Sequence, residues 1–347
     1  MESCVADSTG KMHKWKNTLR DFATISTNFP AGCYPEKKMK SKWTMDRMPS
    51  QEGKTALVTG ANSGLGYYAS LGLARKGARV VMACRNLEKG EKAREMITEA
   101  VPGNRPALME LDLADLGSVR RFAEAFRSEY SHLDLLINNA GLMAIPYRKT
   151  ADGFEMQFGV NHLGHFALTG LLWPLLEEAP GSRVVNVSSS AHRMGEIAFE
   201  DLHWDSRKYR RWKAYGMSKL ANILFTREMT RRLNGSGNGV TVAAAHPGYA
   251  ASNLLAKGSE MQGKRFGQRM AAVVNSIFAQ STEMGTLPIL YAATEPDVEN
   301  GAYYGPGGFA RMYGYPVRET PDPRRDDPEV ARRLWDVSRE LTGISYL

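Results

Sequence analysis

The sequence predicts an α/β protein: one doubly wound, mostly parallel sheet with helices on both faces, in a single domain. Short apolar runs alternate with longer stretches of helical periodicity from Lys54 onward. Each run is close to continuously apolar, as a strand covered on both faces must be. A glycine cluster, Gly60-Ala61-Asn62-Ser63-Gly64-Leu65-Gly66, lies between the first run and the first helical stretch. Right-handed crossovers then give a doubly wound sheet, which binds ligands beyond the carboxyl ends of its strands where the winding reverses.

Thr55–Thr59 reads as the first strand, followed by a helix over Tyr67–Lys76 that Gly77 stops. The alternation continues with strand Arg79–Ala83, helix Leu87–Ala100, strand Ala107–Leu111, helix Leu116–Tyr130 and strand Leu133–Asn138. Helix Gly153–Glu178, strand Arg183–Val187, helix Arg211–Leu233 and strand Val240–Ala245 follow. A helix over Gly285–Thr294 and a last strand and turn at Gly301–Gly305 come next. Asp327-Pro328 is a cap with proline at the first helical position. Val330, Leu334, Val337 and Leu341 then recur at helical spacing, which predicts a closing helix over about 328–342.

Residues 1–50 read differently. Pro30, Pro35 and Pro49 interrupt them, apolar periodicity is weak, and nine Lys/Arg face five Asp/Glu, half of the chain's net charge of +8. This composition predicts an extension, disordered to about residue 40, with the domain proper over 51–347. The segment lacks the compact apolar core of a secretory signal, and Asp7 and Asp21 argue against an organelle-targeting peptide. Met39, Met45 and Met48 are alternative starts. Nowhere do about 18 apolar residues run together, so no membrane-spanning helix is expected. Cys4, Cys33 and Cys84 are too scattered for a disulfide framework or a zinc site. His162 and His165 stand three apart with no third ligand nearby, so no metal is expected and helix packing accounts for them. A basic tail is a solvated surface far more often than a nucleic-acid site, and no nucleic-acid partner is expected.

The glycine cluster points to a dinucleotide. Glycine allows a tight turn and close approach of backbone to a pyrophosphate, and the helix that follows offers free N–H groups and the positive end of its dipole. The backbone of Gly60, Asn62, Ser63, Gly64, Leu65 and Gly66 forms the expected cradle. The second strand runs out in Ala83-Cys84-Arg85-Asn86, without an acid until Glu88. An acid there suits ribose hydroxyls, whereas Arg85 suits a 2′-phosphate, so the expected cofactor is NADP(H). Farther along, Tyr215 and Lys219 stand at i and i+4 and share one helix face. A cation beside a phenol lowers its pKa, so Tyr215 is expected to exchange protons near neutral pH.

These motifs, with others in fixed order, resemble the short-chain dehydrogenase/reductase family, whose fold is Rossmann-type. The resemblance covers about residues 50–260 and runs through Thr59-Gly60-x-x-x-Gly64-x-Gly66, Asp112, Asn138-Asn139-Ala140-Gly141, Asn161, Ser189, Tyr215-x-x-x-Lys219 and Pro247-Gly248. Ala-Cys-Arg-Asn at 83–86, Asn-His-Leu-Gly-His-Phe at 161–166 and Lys-Leu-Ala-Asn at 219–222 are similar to the retinol-dehydrogenase-like branch, near the protochlorophyllide reductases. The resemblance implies Tyr215 as proton donor or acceptor, Lys219 as the group that tunes it and holds the nicotinamide ribose, and Ser189 as the group that holds the substrate oxygen. It implies Asn161 as the anchor of a water linked to Lys219. Ser189 is chosen over Ser188 and Ser190 by the branch pattern Val-Asn-Val-Ser-Ser. Asp112 and Leu113 are expected to flank the adenine, and Asn139, Ala140 and Gly141 the adenosine ribose. Asn86 joins Arg85, Pro247 and Gly248 border the nicotinamide, and Ser252 stands where the family often has Thr for the carboxamide.

Residues 254–280 occupy the place of the family's variable lid. Their basic, amphipathic character suits an apolar substrate, and also weak contact with a membrane surface. Animal retinol dehydrogenases usually carry an amino-terminal anchor; none is legible here, which predicts a soluble, cytoplasmic relative. The expected activity is NADP(H)-dependent interconversion of an alcohol and a carbonyl on an apolar small molecule, in the direction of carbonyl reduction. Two alternatives remain: a tetrapyrrole double-bond reductase and a non-catalytic NADPH-sensing protein. A homo-oligomer is expected by analogy with the family.

Overall fold

A computed structural model describes residues 42–234, 239–248, 280–323 and 325–347. The expectations for residues 1–41, for Ser252 and for the lid over 254–279 lie outside the described residues.

Eight strands form one sheet in the order β3-β2-β1-β4-β5-β6-β7-β8. They are β1 Thr55–Thr59, β2 Arg79–Cys84, β3 Ala107–Glu110, β4 Leu135–Asn138, β5 Arg183–Val187, β6 Thr241–Ala245, β7 Tyr303–Pro306 and β8 Pro316–Glu319. All neighbours pair in parallel except β7 and β8. The helices are α1 Gly64–Arg75, α2 Leu87–Ala100, α3 Leu116–Glu129, α4 Gly164–Glu177, α5 Arg211–Leu233, α6 Thr282–Thr294 and α7 Pro328–Thr342.

The strand side chains alternate strictly between two cores, as a period of two requires. Ala56, Val58, Val80, Met82, Leu135, Ile137, Val185 and Val187 point to the face covered by α1, α2 and α6. Leu57, Val81, Ala83, Leu136 and Val184 point to the face covered by α3, α4 and α5. Helix α7 packs on α5 through Leu334 and Trp335, and its Asp327 cap accepts from Glu329 N and Val330 N. The winding reverses between β1 and β4, which places Gly60 and Asn139 side by side at the carboxyl edge.

Three expectations need correcting. The body starts earlier than residue 51: Trp43 and Met48 are buried among the side chains of α1 and α6, because the segment carries an indole and methionines that composition alone counted as tail. The expected helix over 153–178 is broken into one turn at Met156–Phe158, a π-helical turn at Gly159–Leu163, and α4. Strand β8 was not expected at all. It is a short antiparallel edge strand that begins with proline and carries Arg318 and Glu319, the composition that keeps an edge from pairing further.

Candidate active site

The carboxyl edge of β1 builds the nucleotide cradle. Gly60 and Gly64 have φ of +68° and +61°, in the left-handed region that favours glycine. A Cβ on Gly66 would lie 2.4 Å from the Gly60 carbonyl oxygen and 2.6 Å from Asn139 Nδ2, so the helix reaches the turn only because that position has no side chain. Ser63 stands at the amino end of α1 in extended conformation and makes no side-chain cap. The first-turn N–H groups therefore face outward without a side-chain acceptor, as a phosphate site requires. Arg85 follows β2, exposed, with no ion pair or hydrogen bond among the described residues. The glycine turn and the open helix end fit the pyrophosphate of a dinucleotide.

Thr59 organises the neighbouring turn. Its Oγ1 accepts from Asn139 N and Ala140 N, both at 2.9 Å, and lies 2.9 Å from His165 Nε2. The other ring nitrogen, Nδ1, is 3.1 Å from the Asn161 carbonyl oxygen. A carbonyl only accepts, so Nδ1 carries the proton and Nε2 accepts from the Thr59 hydroxyl. Asn139 Nδ2 also donates to the Thr59 carbonyl oxygen at 2.8 Å. The sequence signal for His165 and Thr59 was present, but helix packing explained the histidine equally well. Its ring is indeed a packed, hydrogen-bonded strut.

The π-helical turn places Asn161. Its Oδ1 accepts from Leu142 N at 2.7 Å, and its Nδ2 donates to the Leu142 carbonyl and to Ser218 Oγ, both at 2.9 Å. A Cβ on Gly141 would sit 3.2 Å from Asn161 Oδ1 and 3.5 Å from Lys219 Nζ, so glycine lets these two groups meet over the β4 turn.

Helix α5 carries Tyr215 and Lys219, 8% and 4% exposed. The Lys219 ammonium donates to the Val187 carbonyl at 2.9 Å and lies 5.9 Å from the centroid of the Tyr215 ring. Ser189 begins the 3₁₀ turn Ser190–Met194, which lies against α5. Gly216 makes that approach feasible: a Cβ there would meet the Ala191 carbonyl oxygen at 2.8 Å. The Ser189 hydroxyl accepts from Ala191 N at 3.2 Å and is near enough to the Tyr215 phenol to lower its pKa. Tyr215, Lys219, Ser189, Asn161 and Gly141 thus converge in one place. Ser188 instead donates to the Lys219 carbonyl at 2.8 Å, and the His192 ring faces the Ser189 carbonyl rather than a serine hydroxyl.

The electrostatics differ from expectation. Burial pushes Tyr215 up to about 12, against which the Ser189 hydroxyl pulls down. Burial also pulls Lys219 down to about 8. The phenol is therefore not acidified in this environment; desolvation penalises its charged form more than its neighbours favour it. His162 and His165 are likewise held neutral by burial, down to about 3 and about 4.

Three of the residues expected at the cofactor also make contacts within the fold. The Asn86 side chain caps α2 by accepting from Lys89 N at 2.8 Å. Asp112 Oδ1 accepts from Ala114 N at 2.9 Å. Leu113 is buried under Gly164. Asn86 and Asp112 keep accepting capacity; Leu113 offers only its backbone. Pro247 and Gly248 follow β6 on the same edge, and the Pro247 carbonyl accepts from Gln280 Nε2 at 2.7 Å.

The model of the family described as "short chain dehydrogenase" matches residues 54–263. The chain is a member of the short chain dehydrogenase family. This short chain dehydrogenase is 43% identical to human retinol dehydrogenase 11, over 89% of the chain and 92% of that protein. It is 44% identical to mouse retinol dehydrogenase 14, over 84% of the chain and 86% of that protein. It also resembles the crystal structure of an uncharacterized protein from Mycobacterium Paratuberculosis, at 42% identity and a TM-score of 0.73, over 88% of this chain and 100% of that one. It is thus a retinol-dehydrogenase-like oxidoreductase of the nicotinamide-dependent kind. No helix among the described residues is long and apolar enough to cross a membrane.

Proposed function

We propose that this chain is an NADP(H)-dependent oxidoreductase that interconverts an alcohol and a carbonyl on an apolar small molecule, working as a carbonyl reductase. One observation carries the reading: a buried, neutral Tyr215 phenol with the Lys219 ammonium over its ring and the Ser189 hydroxyl near enough to lower its pKa. A phenol held protonated up to about 12 is a proton donor at neutral pH. Carbonyl reduction needs a hydride on carbon and a proton on oxygen; the bound cofactor supplies the hydride. Tyr215 gives its proton to the substrate oxygen, and the Ser189 hydroxyl donates to that oxygen as charge develops on it. The phenolate left behind is stabilised by the Lys219 ammonium. Asn161, next to Lys219, is the anchor for a water that returns the proton from solvent.

Arg85 supports the choice of NADP(H), since an exposed guanidinium after β2, without a partner among the described residues, offers bidentate contact to a 2′-phosphate. The names of the relatives make retinoids one substrate class to test. A serine hydroxyl set against the tyrosine favours alcohol and carbonyl chemistry over tetrapyrrole double-bond reduction. The deciding experiment offers aldehydes, ketones and retinoids with NADPH or NADH and follows absorbance of the reduced nicotinamide. Tyr215→Phe serves as the control: an enzyme loses turnover and still binds NADPH, whereas a sensor keeps its response. Turnover with none of these compounds would sink the reading.

A further inference from the structure

Glu319, on the unexpected strand β8, reaches back to the active-site edge. Its Oε1 lies 3.0 Å from His246 Nε2, with side chains 4% and 1% exposed. The other ring nitrogen of His246, Nδ1, lies 3.2 Å from Gly248 N. A backbone N–H only donates, so Nδ1 must present a lone pair and the ring proton must sit on Nε2, facing the carboxylate. We propose that His246 and Glu319 are positioning residues that hold the Pro247-Gly248 turn in place against the nicotinamide half of the cofactor. The placement of the nicotinamide there rests on the function proposed above.

The turn is held from the other side as well. Gly248 has φ of +66°, and a Cβ on it would lie 2.4 Å from the Met312 carbonyl oxygen, in the loop that joins β7 to β8. Gln280 bridges the same two segments: its Nε2 donates to the Pro247 carbonyl at 2.7 Å, and its Oε1 accepts from Gly314 N at 3.0 Å. Gly305 gives the pair room, since a Cβ there would lie 2.0 Å from His246 Nε2 and 2.2 Å from Glu319 Oε1. Tyr303 stacks on the imidazole, with ring centroids 5.2 Å apart. Burial alone would raise the Glu319 carboxyl, but the facing His246, Arg311 and Arg193 hold it below the usual carboxylate range. The carboxylate thus stays an acceptor and fixes the imidazole tautomer. Glu319, Gln280 and Met312 all lie beyond residue 263, where the family match ends.

The test uses Glu319→Ala, Glu319→Gln and His246→Asn in the full chain, each checked by thermal melting. Binding is followed by NADPH titration, reading nicotinamide fluorescence, and turnover is read on the best carbonyl substrate. Gln keeps an acceptor for Nε2–H, and Asn keeps one for the Gly248 N–H. We expect Glu319→Ala to lose about 10- to 100-fold in kcat. Its NADPH Kd should stay within about threefold, and the bound nicotinamide's emission should shift toward that of free NADPH. Glu319→Gln and His246→Asn should recover most of both. Wild-type kcat and emission in Glu319→Ala would overturn the proposal, as would a loss carried entirely by Kd. If Glu319→Ala does not fold, a Glu319→Gln variant that folds but is as impaired in kcat as Tyr215→Phe overturns it equally. Failure of the wild-type protein to bind NADPH would instead condemn the underlying functional reading.

Discussion

The Lys219 ammonium lies 5.9 Å from the centroid of the Tyr215 ring, over its face, and is tethered to the Val187 carbonyl at 2.9 Å. The tether fixes the cation where a phenolate would need it, while the proton remains on the phenol until a substrate takes it. Removing the hydroxyl alone isolates its part. Tyr215→Phe should lower kcat by about 10²- to 10⁴-fold, the range expected for a general acid. NADPH affinity, measured by fluorescence titration, should stay near wild type. A variant that retains a tenth or more of the turnover would exclude Tyr215 as the donor.

The same pair sets a pH dependence. Reduction needs Tyr215 protonated, which holds up to about 12, and Lys219 charged, which fails above about 8. The reductive kcat should therefore be level from about pH 6 to 7.5 and fall as pH rises through the lysine pKa. Alcohol oxidation starts from the phenolate, so its rate should climb with pH until Lys219 loses its charge at about 8. A reductive rate that increases steadily from acid to alkaline conditions contradicts this assignment.

Cofactor choice rests on Arg85. Hydrogen bonds to a charged group contribute about 1.5–3 kcal/mol, or about 10- to 150-fold. Arg85→Asp should reduce the ratio of kcat/KM with NADPH to that with NADH by about this factor. Steady-state kinetics with both cofactors measures it, and an unchanged ratio refutes the role.

Gly66 offers a test of the cradle. Its added methyl in Gly66→Ala would meet the Gly60 carbonyl oxygen at 2.4 Å, which is backbone and cannot swing aside. Overpacking of this kind costs about 1–3 kcal/mol. A lower melting temperature and weakened NADPH binding are expected. Gly103→Ala is a poor control, since its φ of +88° brings strain of its own. Gly170→Ala, which meets the Tyr346 ring on the far side of α4, tests loss of stability without loss of the cradle.

Much of the fold was legible because α/β sheets write themselves plainly. Val184 and Val185 show why: consecutive apolar residues point into opposite cores, and only a strand covered on both faces tolerates that. The glycine turn and the Tyr215/Lys219 spacing were readable for the same reason, since both are local in sequence. The rest depended on long-range contacts. Glu319 meets His246 across 73 residues, and no local pattern announces it. The π-helical turn at Asn161 has the composition of an ordinary helix, and its side-chain bonds to Leu142 and Ser218 are invisible to periodicity. Spacing reveals the cation beside the phenol but not the depth of burial that raises its pKa.

Trp43 lies beneath α6, its ring 5.5 Å from Tyr291 and its indole N–H donating to Glu295 Oε1 at 2.8 Å. The Trp43 side chain therefore works as a stopper, and translation beginning at Met48 would leave its socket open. Proteolytic trimming up to that methionine would yield a protein with its catalytic groups intact and a softened underside, prone to aggregate on warming before it lost its chemistry.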